Sequence, residues 1–239
     1  MRKMQIYIAI VCFLALIAGA TSCNTNSQDE NNTEPPHYDR IEVHSLAELN
    51  EMRSMIDCDD PDELKEYLLR VHGDTLDGTP ISKEDLVYFV SRVDKLPYVN
   101  LLEGEIVWIH YLCGKSKDTG LPVDVIELSI QANNGDWVSI DYLFSENDVE
   151  GRINAMKAEA KHENLISTPL YSQDGKVVFH IETREENPSG SGDIIRWFAE
   201  IDGIFTSIRY CTSNANNVDT AALVSDLKIS NIPSQATSE

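Results

Sequence analysis

The sequence predicts an α+β fold: a mostly antiparallel sheet of about six to seven strands packed with helices, behind an N-terminal helical segment. Three observations predict it. Three punctuated amphipathic stretches lie between residues 45 and 97. After them come apolar runs that alternate with period two and are joined by short turns at Asn133–Gly135, Asp174–Gly175 and Asp202–Gly203. The length is that of one domain with a proper core, about 200 residues once the leader and a polar tether are set aside.

The helices announce themselves by their caps. Ser45 with Glu48 three residues on is a capping-box pattern, and Leu46, Leu49, Met52 and Ile56 then recur at helical spacing. Asp60, Pro61 and Glu63 open a second helix with Leu64, Tyr67, Leu68 and Val71 on one side and Gly73 as its stop. Ser82 with Asp85 opens a third, carrying Leu86, Phe89, Val90 and Val93 towards Pro97. Helices this short cannot bury their apolar faces alone, so they must pack on the rest of the chain.

Beyond Pro97 the pattern is that of a sheet. Ile106–Cys113 is apolar on both faces, as an interior strand is. Val123–Ala132 and Trp137–Phe144 alternate around Asn133, Asn134 and Gly135. A three-residue loop with Gly135 left-handed sets Ile130 opposite Val138, Leu128 opposite Ile140 and Ile126 opposite Tyr142; a two-residue loop would set Leu128 against Asp141. Ser145 and Asp148 open a helix with Val149, Ile153, Met156 and Ala160 on one face, ending near His162. Leu165–Tyr171 and Lys176–Arg184 form a hairpin around Asp174 and Gly175. In the last hairpin, with Asp202 and Gly203 as its turn, Ile201 faces Ile204, Ala199 faces Thr206, Trp197 faces Ile208 and Ile195 faces Tyr210. A closing helix from Asp219 to about Lys228 adds Leu223 and Leu227 to the same core. No internal repeat is visible.

The first stretch of the chain has a different character. Arg2 and Lys3 precede an almost wholly apolar run, Ile6–Ile17, and small residues lead into Cys23. That order is an export signal, too short for a comfortable membrane span. Ala20, Thr21, Ser22 and Cys23 resemble the lipobox of bacterial lipoproteins, with Ala20 where that box usually has leucine. The resemblance implies that Cys23 is lipidated and becomes the first residue of the mature chain. Ordinary signal-peptide cleavage near Ala20 is the alternative; the polar stretch after Cys23 suits a tether. Gln28, Asp29 and Glu30 resemble the acidic signal that sends lipoproteins of Bacteroidota to the cell surface. The organisation expected is a signal peptide over 1–22, a flexible tether over 23–39, one α+β domain over 40–232 and a disordered tail over 233–239. Within the domain, 40–97 forms a helical lobe and 98–232 the sheet with two helices. Asp74–Leu76 and Asp219–Ala221 resemble the short O-glycosylation motif of the same group, and Asn31–Thr33 is an N-glycosylation sequon.

Charge narrows the partners. Removing residues 1–22, which hold Arg2 and Lys3 and no acid, takes the formal charge from -21 to -23. Such a body neither tracks nucleic-acid phosphates nor settles on anionic lipid, so the partner bilayer is reached only through lipid on Cys23. The expected location is the outer membrane, on its cell-surface or its periplasmic side, with an envelope or extracellular partner.

The face opposite Trp197 is where function would sit. In the registers above it carries Glu127 and Asp141 directly across from one another, then His180, Glu182 and Arg184 on one strand, and Arg196, Glu200 and Arg209 on the last hairpin. Opposed carboxylates repel by a few tenths of a kcal/mol to about 1 kcal/mol unless a cation lies between them, so this face is a candidate ligand or cation site. His110 and Cys113, three apart on a strand, point to opposite faces and make no metal pair. Asp57, Asp59, Asp60 and Asp62 cluster without the glycine of a calcium loop, and Gly190–Gly192 lacks the strand-to-helix setting of a nucleophile turn. No metal or cofactor is implied. Of Cys58, Cys113 and Cys211, the last two fall near strand ends and are the candidate disulfide if one forms, with each cysteine a buried small hydrophobe as the alternative. The expectation is a lipoprotein that binds a protein, peptide or glycan, with no catalytic constellation. Two other functions fit the residues: an envelope hydrolase using Glu127 with Asp141 or Glu182 with His180, and a toxin-neutralising immunity lipoprotein, to which the acidity points.

Overall fold

The computed structural model describes residues 40–71, 81–115, 122–146, 148–159, 169–186, 193–213 and 215–233. The leader, Cys23, the tether, Asp74–Leu76, Gly190–Gly192, the segment 165–168 and the tail from 234 onward lie outside the described residues. Among those described, no helix is long and apolar enough to cross a membrane.

The chain is α+β with a mostly antiparallel sheet, as expected, but the first described element is a strand. β1 (Arg40–Val43) precedes α1 (Leu46–Ile56), α2 (Pro61–Arg70) and α3 (Lys83–Asp94), so among the described residues a strand, not a helix, comes first. Then come β2 (Tyr98–Val99), β3 (Glu105–Lys115), β4 (Pro122–Gln131), β5 (Trp137–Leu143) and α4 (Val149–Glu159). β6 (Leu170–Tyr171), β7 (Val177–Glu186), β8 (Asp193–Ile201), β9 (Ile204–Thr212), a 3-10 turn (Ala215–Asn217), α5 (Thr220–Asp226) and β10 (Ile229–Ser230) complete it. Among the described residues the main sheet has eight strands rather than six or seven, in the order β1-β3-β4-β5-β9-β8-β7-β6, and β2 pairs with β10 separately. β2, β10 and, in the main sheet, β1 are absent from the sequence reading: in β1, Ile41 and Val43 alternate with Glu42 over too short a run to stand out, yet both are buried against β3.

The order contains two meanders, β3-β4-β5 and β7-β8-β9, that meet along their last strands. Each has a β-bulge near the start of its first strand, between Ile106 and Trp108 and between Phe179 and Ile181. This two-fold resemblance in topology has no counterpart in visible sequence repetition. The turns obey residue chemistry. Gly135 at φ 88° closes the three-residue loop, with Ala132 N donating to Asp136 O at 2.9 Å, and Ile130↔Val138, Leu128↔Ile140 and Ile126↔Tyr142 are partners. Asp202 at φ 50° and Gly203 at φ 81° make the two-residue turn, and it sets the pairs Ile201↔Ile204, Ala199↔Thr206, Trp197↔Ile208 and Ile195↔Tyr210.

One sheet face is the main core. Ile126, Leu128, Ile130, Val138, Ile140, Trp197, Ala199 and Ile208 are fully buried there. α1 contributes Leu49 and Met52, and α3 contributes Leu86, Phe89, Val90 and Val93. Ser82 and Asp85 form the complete capping box of α3, whereas Glu48 caps through His44 N rather than Ser45 N (2.7 Å). α3 is fixed to the sheet by Phe89 stacked on Tyr111 and by Arg92 on Asp124 at 2.7 Å. On the other face α4, capped by Asp148 rather than Ser145, sets Ile153, Val149 and Met156 on Leu143, Ile181, Phe198, Phe205 and Val125. α4 thus covers one half of that face with an apolar patch.

Candidate functional site

The other half of the face carries a polar row. In register across six strands stand Trp108 (β3), Ser129 (β4), Ser139 (β5), Arg209 (β9), Arg196 (β8) and Thr183 (β7). Residues in direct register point to the same side, so these six form one strip. The next row towards α4 runs Glu42, His110, Glu127, Asp141, Ser207, Phe198 and Ile181, turning from polar to apolar where α4 begins. Trp137 and Cys211 lie one row further out on the opposite side of the strip.

The expected opposition of Glu127 and Asp141 is present, and the two differ in environment. Glu127 is buried; its Oε1 accepts from Ser139 Oγ at 2.7 Å and lies 3.7 Å from Arg209 Nη2, and its Oε2 lies 3.8 Å from His110 Nδ1. Burial alone would raise its pKa, but His110, the Ser139 hydroxyl and Arg209 outweigh it and hold the carboxyl below the usual range. Asp141 is pushed up to about 7 by burial and then by the neighbouring Glu127 charge, against the pull of Arg209 and Arg196. The pair therefore carries close to one proton at about pH 5–6 and roughly half of one at pH 7, held on Asp141 while Glu127 is charged.

No family model, curated protein or solved structure matches the chain.

The remaining candidates divide. Arg196 and Arg209 are cross-strand partners beside the carboxylates. Glu200 shares their face but sits four residues along β8 from Arg196, with Phe198 of the apolar patch between them. Glu182 and Arg184 are on the opposite face, because the bulge in β7 shifts its alternation by one residue after Phe179. Glu182 accepts from Trp197 Nε1 at 2.8 Å, from Arg184 Nε at 2.7 Å and from Thr220 Oγ1. Arg184 in turn donates to the carbonyls of Ala215 (2.6 Å) and Val218 (3.0 Å), so the pair fastens the 3-10 turn and α5 to the sheet. His180 stands at the bulge itself, where burial and then Lys157 of α4 lower its pKa and keep the ring neutral. It does not meet Glu182, and β8 and β9 separate it from Asp141.

Cys113 and Cys211 form no disulfide. Cys113 alternates with Tyr111 into the main core while Cys211 lies on the Arg209 face, and β4 and β5 stand between their strands. Being near strand ends put them at comparable heights; the strand order and the parity keep them apart. Among the described residues no three of His, Cys, Asp and Glu converge to hold a metal ion.

Sequence reasoning overlooked Ser129, Ser139, Trp108, Trp137 and Thr183. Parity counted from Asp141 places Ser139 and Trp137 on its face, a signal that was readable. Trp108 sits beside the β3 bulge, where parity counted from the core residues fails.

Proposed function

We propose that the chain is exported, held at the outer membrane by lipid on Cys23, and binds an envelope or extracellular partner through the half of the sheet face beside α4. The observation that carries the binding reading is the polar row itself. Guanidiniums, hydroxyls and indoles ranked in register on a sheet face contribute little to a core, and the fold already has one face and half of the other for that purpose. Anchoring rests on the leader, the lipobox-like end at Cys23 and the polar tether.

A photo-crosslinking residue in place of Ser129 or Thr183, in cells making the full chain, tests the binding reading. Adducts with an envelope component are expected from these positions and not from Val87, which is exposed on α3 across the sheet. Equal yields from Val87, or no adduct from the row, would remove it. Cys23→Ala is expected to leave the membrane fraction; retention there would remove the anchor.

The Glu127–Asp141 pair favours a second reading. Two carboxyls with proton affinities driven apart are the starting point for general acid and base work on a glycosidic or ester bond. In that reading Asp141 holds the proton and Glu127 the charge, and Asp141→Asn abolishes turnover.

A further inference from the structure

Arg196 and Arg209 stand directly across from one another on β8 and β9, two like charges side by side in a strongly acidic protein. Their side chains keep 30% and 20% exposure, and their contacts are long: Arg196 to Glu185 at 3.9 Å and Arg209 to Glu127 at 3.7 Å. Among the described residues neither guanidinium makes a hydrogen bond. Other arginines of the chain are committed: Arg184 donates three times, and Arg53 and Arg92 hold carboxylates at 2.5 and 2.7 Å. Two rigid donor forks engaged only in long ion pairs keep their hydrogen-bond donors available to an anion, and their planar geometry suits carboxylates and phosphates.

The surroundings restrict that anion. Glu127 and Asp141 occupy the neighbouring row, and a compact multivalent ion would be repelled by them. They would instead accept hydrogen bonds from hydroxyls. At the β3 end Trp108 is stacked on His110 with ring centroids 5.0 Å apart and planes 8° apart, and its buried Nε1 has no acceptor among the described residues. Trp137 adds a second half-buried indole one row away. A ligand matching the strip has one carboxylate, several hydroxyls and an apolar ring face.

We propose that this row binds an acidic saccharide, with a uronate carboxylate on the Arg196–Arg209 pair, ring hydroxyls towards Asp141 and Ser129, and a sugar face against Trp108. The assignment rests on the binding reading above and names its ligand class. From Trp108 to Arg196 the row crosses four strand spacings, roughly 19 Å, which spans a short oligosaccharide rather than a single sugar.

Titration calorimetry on the full-length protein in detergent tests it, with oligogalacturonate, alginate and hyaluronan fragments, neutral galacto-oligosaccharides, inorganic phosphate and a short peptide with a free C-terminus as probes. At least one uronate oligomer is expected to bind ten times or more tighter than its neutral counterpart. Arg196→Gln and Arg209→Gln should each weaken it by a further tenfold or more. Trp108→Ala should weaken uronate and neutral oligomers alike. Equal affinity for neutral and acidic sugars, phosphate binding as tight as uronate, tighter peptide binding, or no uronate binding at all would each overturn the assignment. The crosslinking experiment separates the two levels: adducts from Ser129 that disappear in Arg209→Gln cells, with no uronate binding, leave the binding face standing and the ligand class refuted. Loss of both refutes both.

Discussion

Asp141→Asn isolates the electrostatics of the row. In the folded protein the Asp141 carboxyl is raised from 3.8 to about 7. A raised carboxyl pKa makes the folded state bind more protons than the unfolded one between those values, so stability falls as pH rises through that window and levels off above it. At pH 5 the folded group is protonated while the unfolded one is mostly ionised; by pH 8 both are ionised. With about 1.36 kcal/mol per pH unit over roughly two units, wild type loses about 3 kcal/mol through this residue between pH 5 and 8. Asparagine has the same shape and does not titrate. The variant should therefore gain on wild type by a further ~3 kcal/mol across the same range, on top of the roughly 1–2 kcal/mol that wild type has already lost through this residue between pH 3.8 and pH 5. Glu127, held below its usual range, titrates under this window and is common to both chains. Urea denaturation at pH 5, 6, 7 and 8 reads the difference directly. A variant-minus-wild-type stability that is flat in pH would mean that Asp141 is ionised throughout and that burial and Glu127 do not raise its proton affinity.

Three further outcomes are expected from other parts of the fold. Glu182→Ala leaves Trp197 Nε1, Thr220 Oγ1 and Arg184 without their shared acceptor, and should cost about 2–4 kcal/mol in urea denaturation. Gly104→Ala would place a Cβ 2.4 Å from the Gln131 carbonyl oxygen, a backbone atom that cannot swing aside, and should lower stability by about 1–3 kcal/mol at an otherwise exposed position. Alkylation in denaturant without reductant should label both Cys113 and Cys211 in peptide mass spectra, and finding either in a disulfide would contradict the strand order.

Local features were legible in the sequence and distant ones were not. The β4–β5 and β8–β9 registers could be derived residue by residue, because period-two burial and the φ demands of Gly135 and of Asp202–Gly203 act over a few positions. That is also why the Glu127–Asp141 opposition could be foreseen. The bulge at His180 could not: no glycine or turn residue marks it, yet it alone sends Glu182 and Arg184 into the core face. Nor could the pairing of β5 with β9, which brings Arg209 beside Glu127, since nothing in either strand states its long-range neighbour. The site was thus visible as two separate halves.

The meeting of the two meanders along β5 and β9 has a kinetic consequence. Within each meander every strand pairs with its neighbour in sequence, so closing it requires only short loops. The seam between them joins Trp137 to Cys211 and must wait until the second meander has left the ribosome. Glu127, Asp141 and Trp108 belong to the first half, and Arg196 and Arg209 to the second. Neither half alone has both the acids and the arginines, so the polar row is complete only when the seam between β5 and β9 has closed.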